Sequence, residues 1–151
     1  MHHSCSKLIV AVLAFSLFAC TTTGSDIPLP ASTRIQAPKP DVPEKYARFV
    51  GKWGPADWDG NLSHILIVED VDVSGNARTI YAYGEFVGWN VKPAWIRKKG
   101  HIVGNELRLD RFGNGAEVNY EYRSDGTLHG TYERQGTVAT VVLRKDTTKQ
   151  P

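Results

Sequence analysis

The 151-residue sequence predicts an all-β domain, a small antiparallel up-and-down barrel of about eight strands, set behind an apolar leader and a proline-rich stretch. Three observations carry this prediction. Turn-forming pairs recur at short intervals, among them Gly54-Pro55, Asp59-Gly60, Lys99-Gly100, Gly104-Asn105, Asp125-Gly126 and Gln135-Gly136. The runs between them are rich in β-branched and aromatic residues and alternate with a period of two, which places one face of each in a core. The only helical candidate is Glu44 to Phe49, one or two turns long. Short consecutive connections favour neighbouring antiparallel strands, and closing eight of them into a barrel removes the exposed edges; an open sandwich is the competing arrangement.

Taken from the start of the chain, residues 1–19 combine a short polar opening carrying Lys7 with the apolar run Leu8 to Ala19. That run is shorter than the roughly 20 apolar residues a membrane span needs, and it has the form of a secretory signal. It ends in Leu17-Phe18-Ala19-Cys20, which resembles the lipobox of bacterial lipoproteins. The resemblance implies cleavage before Cys20 and lipid on that residue, so that the membrane is one partner of the mature protein. Thr21 after it, in place of Asp, implies the outer membrane, with the domain facing the periplasm. Cys5 leaves with the leader, so the mature chain keeps Cys20 alone and has no internal disulfide. Residues 20–44 hold five of the eight prolines and no apolar periodicity, the composition of a disordered tether. Residues 147–151 read as a frayed tail.

The domain proper is residues 45–146. Leu62 to Val71 is apolar enough for a strand buried on much of both faces. Ala77 to Glu85 alternates, with Ala77, Thr79, Tyr81 and Tyr83 on one face. Ala94 to Gly100 reads as a short strand, and residues 101–112 as a hairpin over Gly104-Asn105. Residues 115–124 place Ala116, Val118, Tyr120 and Tyr122 on one face. Residues 127–135 and 137–145 complete the meander.

A short helical turn followed by Phe49-x-Gly51-x-Trp53 and a meander of hairpins resembles the start of lipocalin-like (calycin) barrels. Leu128 to Glu133 also echoes the strand pattern of their avidin-like cousins. The resemblance implies that Trp53 closes one end of the barrel under an arginine near the end of the last strand. Arg144 stands at the matching place, giving a structural kernel of Phe49, Gly51, Trp53 and Arg144. The similarity covers the two ends of the domain. The Thr-Asp-Tyr turn of typical lipocalins is not recognisable in the middle.

Formal charge is +2, about +1 once Lys7 is removed, and no basic cluster points to nucleic acid. His64, His101 and His129 stand on separate runs. Ser63 and His64, being adjacent on a strand, point to opposite faces and cannot pair as nucleophile and base. No metal, cofactor or enzyme motif stands out. Aromatic residues are the richer signal, because Tyr and Trp join a flat apolar body to a polar tip. The candidate ligand site is Trp58, Tyr81, Tyr83, Trp95, Tyr120 and Tyr122, with Arg97 as a possible anion partner. Phe86 and Trp89, in the longest irregular segment, make a candidate lid or partner loop. The expected function is a non-enzymatic envelope lipoprotein whose barrel binds a small, partly apolar ligand. The alternative is a side-chain-filled barrel that contacts an envelope protein or glycan.

Overall fold

The structure, a computed structural model, describes residues 26–148. The leader, Cys20 and the last three residues lie outside the described part. A short helix, α1 (Glu44–Ala47), precedes eight strands. These are β1 (Gly51–Trp58), β2 (Leu62–Val71), β3 (Asn76–Tyr83), β4 (Ala94–Val103), β5 (Glu106–Leu109), β6 (Glu117–Tyr122), β7 (Leu128–Arg134) and β8 (Thr137–Leu143). Each pairs antiparallel with the next in one sheet of order 1 to 8. The sheet curls until β8 meets β1. There Gly54 N–H donates to the Arg144 carbonyl at 2.9 Å, Asp146 N–H to Lys52 at 2.8 Å and Asp59 N–H to Thr140 at 2.9 Å. The protein is a nearly closed eight-stranded up-and-down barrel, an architecture consistent with the lipocalin-like resemblance.

The loops after β1, β3, β5 and β7 gather at one end, the mouth. Those after β2, β4 and β6, with α1, gather at the other, the closed end. Gly54-Pro55 is not a turn but a bulge inside β1: the register runs Trp53↔Leu66, then Ala56↔His64, so one residue of β1 is extra. Proline is tolerated there because the ladder is already interrupted. Gly54 has φ +93°, and a Cβ on it would stand 2.8 Å from the His64 carbonyl oxygen. Lys99-Gly100 is not a turn either. β4 runs straight through it, because Gly100 faces inward against Leu107 and Leu109, where a Cβ would lie 2.9 Å from Leu107.

The continuous apolar run in β2 has two causes. Leu66 and Val68 face the barrel interior, while Ile65 and Ile67, with Ile80 and Ala82 of β3, form a second cluster outside it. Ile27 and Leu29 cover that outer cluster. Within this proline-rich stretch, Ile27, Leu29, Arg34 and Gln36 therefore hold the described residues as a strap on the barrel wall. Glu69 latches the strap. Its buried carboxylate accepts Arg34 N–H at 3.0 Å and pairs with Arg97, and its carbonyl accepts Gln36 N–H at 2.8 Å. Sequence composition could not reveal this, because the docking rests on two apolar side chains and backbone hydrogen bonds.

At the closed end Trp53 is 0 % exposed and its indole N–H donates to the Phe49 carbonyl at 2.8 Å. Tyr122 meets both Phe49 and Trp53 edge-on. The cation over Trp53 is Lys145, whose ammonium lies 4.8 Å from the ring centroid and donates to the Arg48 carbonyl at 2.9 Å. Arg144, expected in that place, is exposed. Alternation explains the correction: Leu143 points in, so Arg144 points out and Lys145 returns toward the indole. Gly51, at φ +137°, lets the Lys145 stem pass, since a Cβ would stand 3.3 Å from its Cε. A second cation, Arg48, stacks on Tyr122 at 4.3 Å.

This arrangement gives an ordered set of expected stabilities in urea unfolding. Trp53→Ala should cost about 3–5 kcal/mol as a large core truncation. Lys145→Ala should cost about 1 kcal/mol through the lost cation–π contact. Arg144→Ala should stay within about 0.5 kcal/mol of the parent, as surface changes do. An Arg144 effect larger than that of Lys145 would reverse the assignment.

Candidate functional site

The bulge in β1 decides what the mouth contains. Trp53 and Trp58 are five positions apart, an odd number that would send their rings to opposite faces of an unbroken strand. The extra residue restores the parity, and both rings point inward, Trp53 at the closed end and Trp58 nearer the mouth. Gly130 makes the space for Trp58. A Cβ there would lie 2.7 Å from Val141, 2.9 Å from Tyr120 and 3.0 Å from the Trp58 ring.

Below Trp58 the barrel is filled. His64 is fully buried, tilted against Trp58 and Tyr81 and stacked on Tyr120. Its Nδ1 lies 2.8 Å from the Ala82 carbonyl oxygen, which can only accept, so Nδ1 carries the proton. Nε2 is then the acceptor for the Tyr120 hydroxyl at 2.8 Å. Burial holds the His64 pKa down to about 3, against a smaller upward pull from the Ala82 carbonyl, so the ring is neutral. Burial also pushes the Tyr120 and Tyr81 phenols well above their ordinary range. The Trp58 indole N–H is buried with no hydrogen-bond partner. Its nearness to the Tyr81 phenol opposes that group's upward shift, less than burial promotes it.

Above Trp58 lies a cavity of about 500 Å³. Trp58, Tyr81, Tyr83, Phe112, Tyr132 and Trp89 supply its aromatic walls, and Asn114, Arg134, Gln135 and Thr137 its polar rim. Asn114 Nδ2 donates to the Tyr132 hydroxyl at 3.1 Å, fixing one side of that rim. A second, more open hollow of about 560 Å³ runs along the outer seam of β1 and β8 beside Pro55 and Arg144, and it has no aromatic wall.

The structure brings together three of the seven expected ligand residues: Trp58, Tyr81 and Tyr83. Tyr120 lies deeper, engaged with His64, and Tyr122 belongs to the closed end. Trp95 and Arg97 are on the outer wall, since Trp95 pairs with outward Ala82 and Arg97 holds the strap through Glu69. Trp89, assigned from sequence to the partner loop, also borders the cavity, and Phe86 meets it edge-on at 5.2 Å. Ile96, Phe112 and Tyr132 were missed as site residues. Tyr132 shares the inward alternation of Leu128 and Gly130, and that signal was available; Phe112 sits in a loop, where alternation gives none.

Ser63 and His64 do lie on opposite faces: the Ser63 hydroxyl donates to Asp57 outside while His64 is enclosed. Among the described residues no group of three or more His, Cys, Asp or Glu side chains is placed to hold a metal ion. Among the same residues no helix is long and apolar enough to cross a membrane. No family model matches the chain, and no curated protein matches it.

The neutral His64 makes stability depend on pH. The unfolded chain takes up a proton on this residue below about pH 6.5, whereas the barrel does not until about pH 3. Its contribution is complete above pH 6.5 and is lost as pH falls through that window, by up to about 1.4 kcal/mol per unit. Urea midpoints at pH 7, 6 and 5 should fall in the parent and flatten in His64→Gln; equal slopes in both would rule His64 out as the cause.

Proposed function

We propose that this protein is a non-enzymatic, lipid-anchored envelope lipoprotein whose barrel mouth binds a small, partly apolar ligand. The observation that carries the reading is the cavity of about 500 Å³ above Trp58. It falls within the roughly 300–1,000 Å³ typical of small-molecule sites, with mostly aromatic walls and a few polar groups at the rim. Its geometry suits a molecule with a flat or branched apolar body directed at Trp58 and Tyr81. A polar end would remain near Asn114, Arg134 and Gln135. The floor is set by packed side chains, which limits the ligand to the upper barrel. The alternative of a filled barrel describes the lower part alone.

The lipid anchor rests on the Leu17-Phe18-Ala19-Cys20 resemblance, and the outer-membrane location on Thr21. The absence of catalysis is proposed on the chemistry of the interior. Its one buried imidazole is neutral, enclosed and saturated by Ala82 and Tyr120, with no nucleophile beside it.

The test is to fill the cavity without touching its floor. Ala139 is a partly buried wall residue on β8, and Ala139→Phe should occupy the space between Tyr132 and Trp58. The apolar dye anilinonaphthalenesulfonate should bind the parent and lose at least about tenfold in affinity in the variant, or roughly 1.4 kcal/mol. Thermal unfolding checks that the variant is folded. Unchanged dye affinity in a folded Ala139→Phe protein would remove the mouth cavity as the site.

A further inference from the structure

The loop between β3 and β4 is built to display apolar side chains. Phe86 and Val91 exchange backbone hydrogen bonds at 3.1 and 3.0 Å, closing a tight arch. Within it the 3₁₀ turn Val87–Trp89 is braced by the Phe86 ring, and Asn90 in the left-handed region ends it. The arch holds Val87 at 81 % and Trp89 at 75 % exposure, at the rim of the cavity. Ile96, half-exposed on the inner face of β4 at the cavity, continues the same apolar surface, while Trp95 lies on the outer wall. A braced arch presenting Val and Trp outward buries little beyond the contact of the Phe86 and Trp89 rings. It is expensive to leave in water and needs a partner.

The strap says where the membrane anchor lies relative to this surface. Gln36 bonds Glu69 toward the closed end, whereas Ile27 and Leu29 pack on Ile65, Ile67, Ile80 and Ala82 toward the mouth. Ala82 is the cross-strand partner of Trp95. Followed backward from Gln36, the described strap climbs the barrel wall toward the mouth. Cys20 stands six positions before Asp26, a stretch that spans at most about 20 Å. From the cluster at Ile65 and Ile67 the mouth is three to five residues away along β2, roughly 10–17 Å, whereas the turn at Ser74 is seven to nine residues away, roughly 24–30 Å. A lipid on Cys20 reaches a bilayer beside the mouth with slack. It reaches one below the closed end only at or beyond full extension.

We infer that the barrel docks mouth-first on the bilayer holding the Cys20 lipid, with Val87 and Trp89 entering the headgroup boundary and the cavity opening toward lipid. The inference rests on the anchored reading of Cys20 proposed above. Trp and apolar side chains of this kind settle about 5–10 Å into that boundary, and an acyl anchor supplies the main affinity. The patch therefore orients a barrel already held close, which two short contacts can do.

The experiment uses the mature lipidated protein in vesicles of phosphatidylethanolamine and phosphatidylglycerol. Lipid occupies Cys20, so Val87→Cys and Ser74→Cys each provide one free thiol for an environment-sensitive dye, at the mouth and at the closed end. A phosphatidylcholine nitroxide labelled near its headgroup is the quencher. The dye at position 87 should shift to the blue and lose roughly half of its emission or more, while the dye at position 74 stays unquenched. In Trp89→Ser the quenching at position 87 should weaken. Anchored protein with both dyes unquenched, or with position 74 the more strongly quenched, overturns the orientation and leaves the anchor standing. Protein that never partitions with the vesicles, and behaves as Cys20→Ser does, overturns the anchor and the orientation together.

Discussion

A β-barrel wall has only two sides, and every residue of every strand is committed to one of them. β1 must nevertheless present Trp53 to the closed end and Trp58 to the region beneath the mouth, from an odd spacing. The Gly54-Pro55 bulge is the device that allows it, and much else depends on it. It brings the Gly54 N–H to the Arg144 carbonyl and so closes the seam with β8. It also sets Trp58 against Gly130, the one inward position of β7 with no side chain. Remove the extra residue and either the plug or the cavity floor would point at solvent.

Filling from the closed end upward then fixes where a cavity can be. Phe49, Trp53 and Tyr122 occupy the bottom layer, and Leu66, Tyr120 and His64 the next. His64 fits as a neutral spacer because both its nitrogens are satisfied, by Ala82 and Tyr120, with no charge to desolvate. Trp58 caps this stack. The wall opens from there, because β5 pairs with β4 only from Gly100 to Val103 and leaves the Ala94 to Lys98 half of β4, paired with β3 on one side, without a strand on the other. Phe112 and Asn114 of the following loop stand across that gap and complete the wall. The cavity is thus a consequence of one short strand.

What the sequence made legible was face, and what it concealed was depth. The alternation in β3 and β6 sets Tyr81 with Tyr83, and Tyr120 with Tyr122, on one face each, and both faces turn inward. It could not say that Tyr83 borders the mouth while Tyr122 lies against Phe49, because depth follows from strand tilt and register, which span the whole barrel. Trp95 and Arg97 were misplaced for a different reason. Lys99-Gly100 has the form of a turn, which divides β4 in two on sequence and hides the inward parity that runs from Ile102 and Gly100 back to Ile96. Lys145 lost its place to Arg144 although Leu143 already fixed the parity. Trp89 and Phe112 lie on loops, where neither period nor register speaks.

The strap adds a constraint that composition hides altogether. A proline-rich segment of this length, if free, would hold a domain several tens of Å from its anchor and leave its orientation open. Packing Ile27 and Leu29 onto the outer face of β2 and β3, and latching Glu69 with Arg34, Gln36 and Arg97, holds the stretch from Asp26 onward on the barrel wall. The outer isoleucines of β2, which a barrel does not need for its own interior, find their cover there. Under the lipid-anchored reading proposed above, the residues that hide an apolar outer face from water would also set which end of the barrel lies near the membrane. On that proposal a wall position such as Ile67 would bear on orientation as well as on stability. Loosening the strap, for example by Ile67→Ser, should free the barrel to turn while leaving the interior packing of Trp53 and Trp58 unchanged.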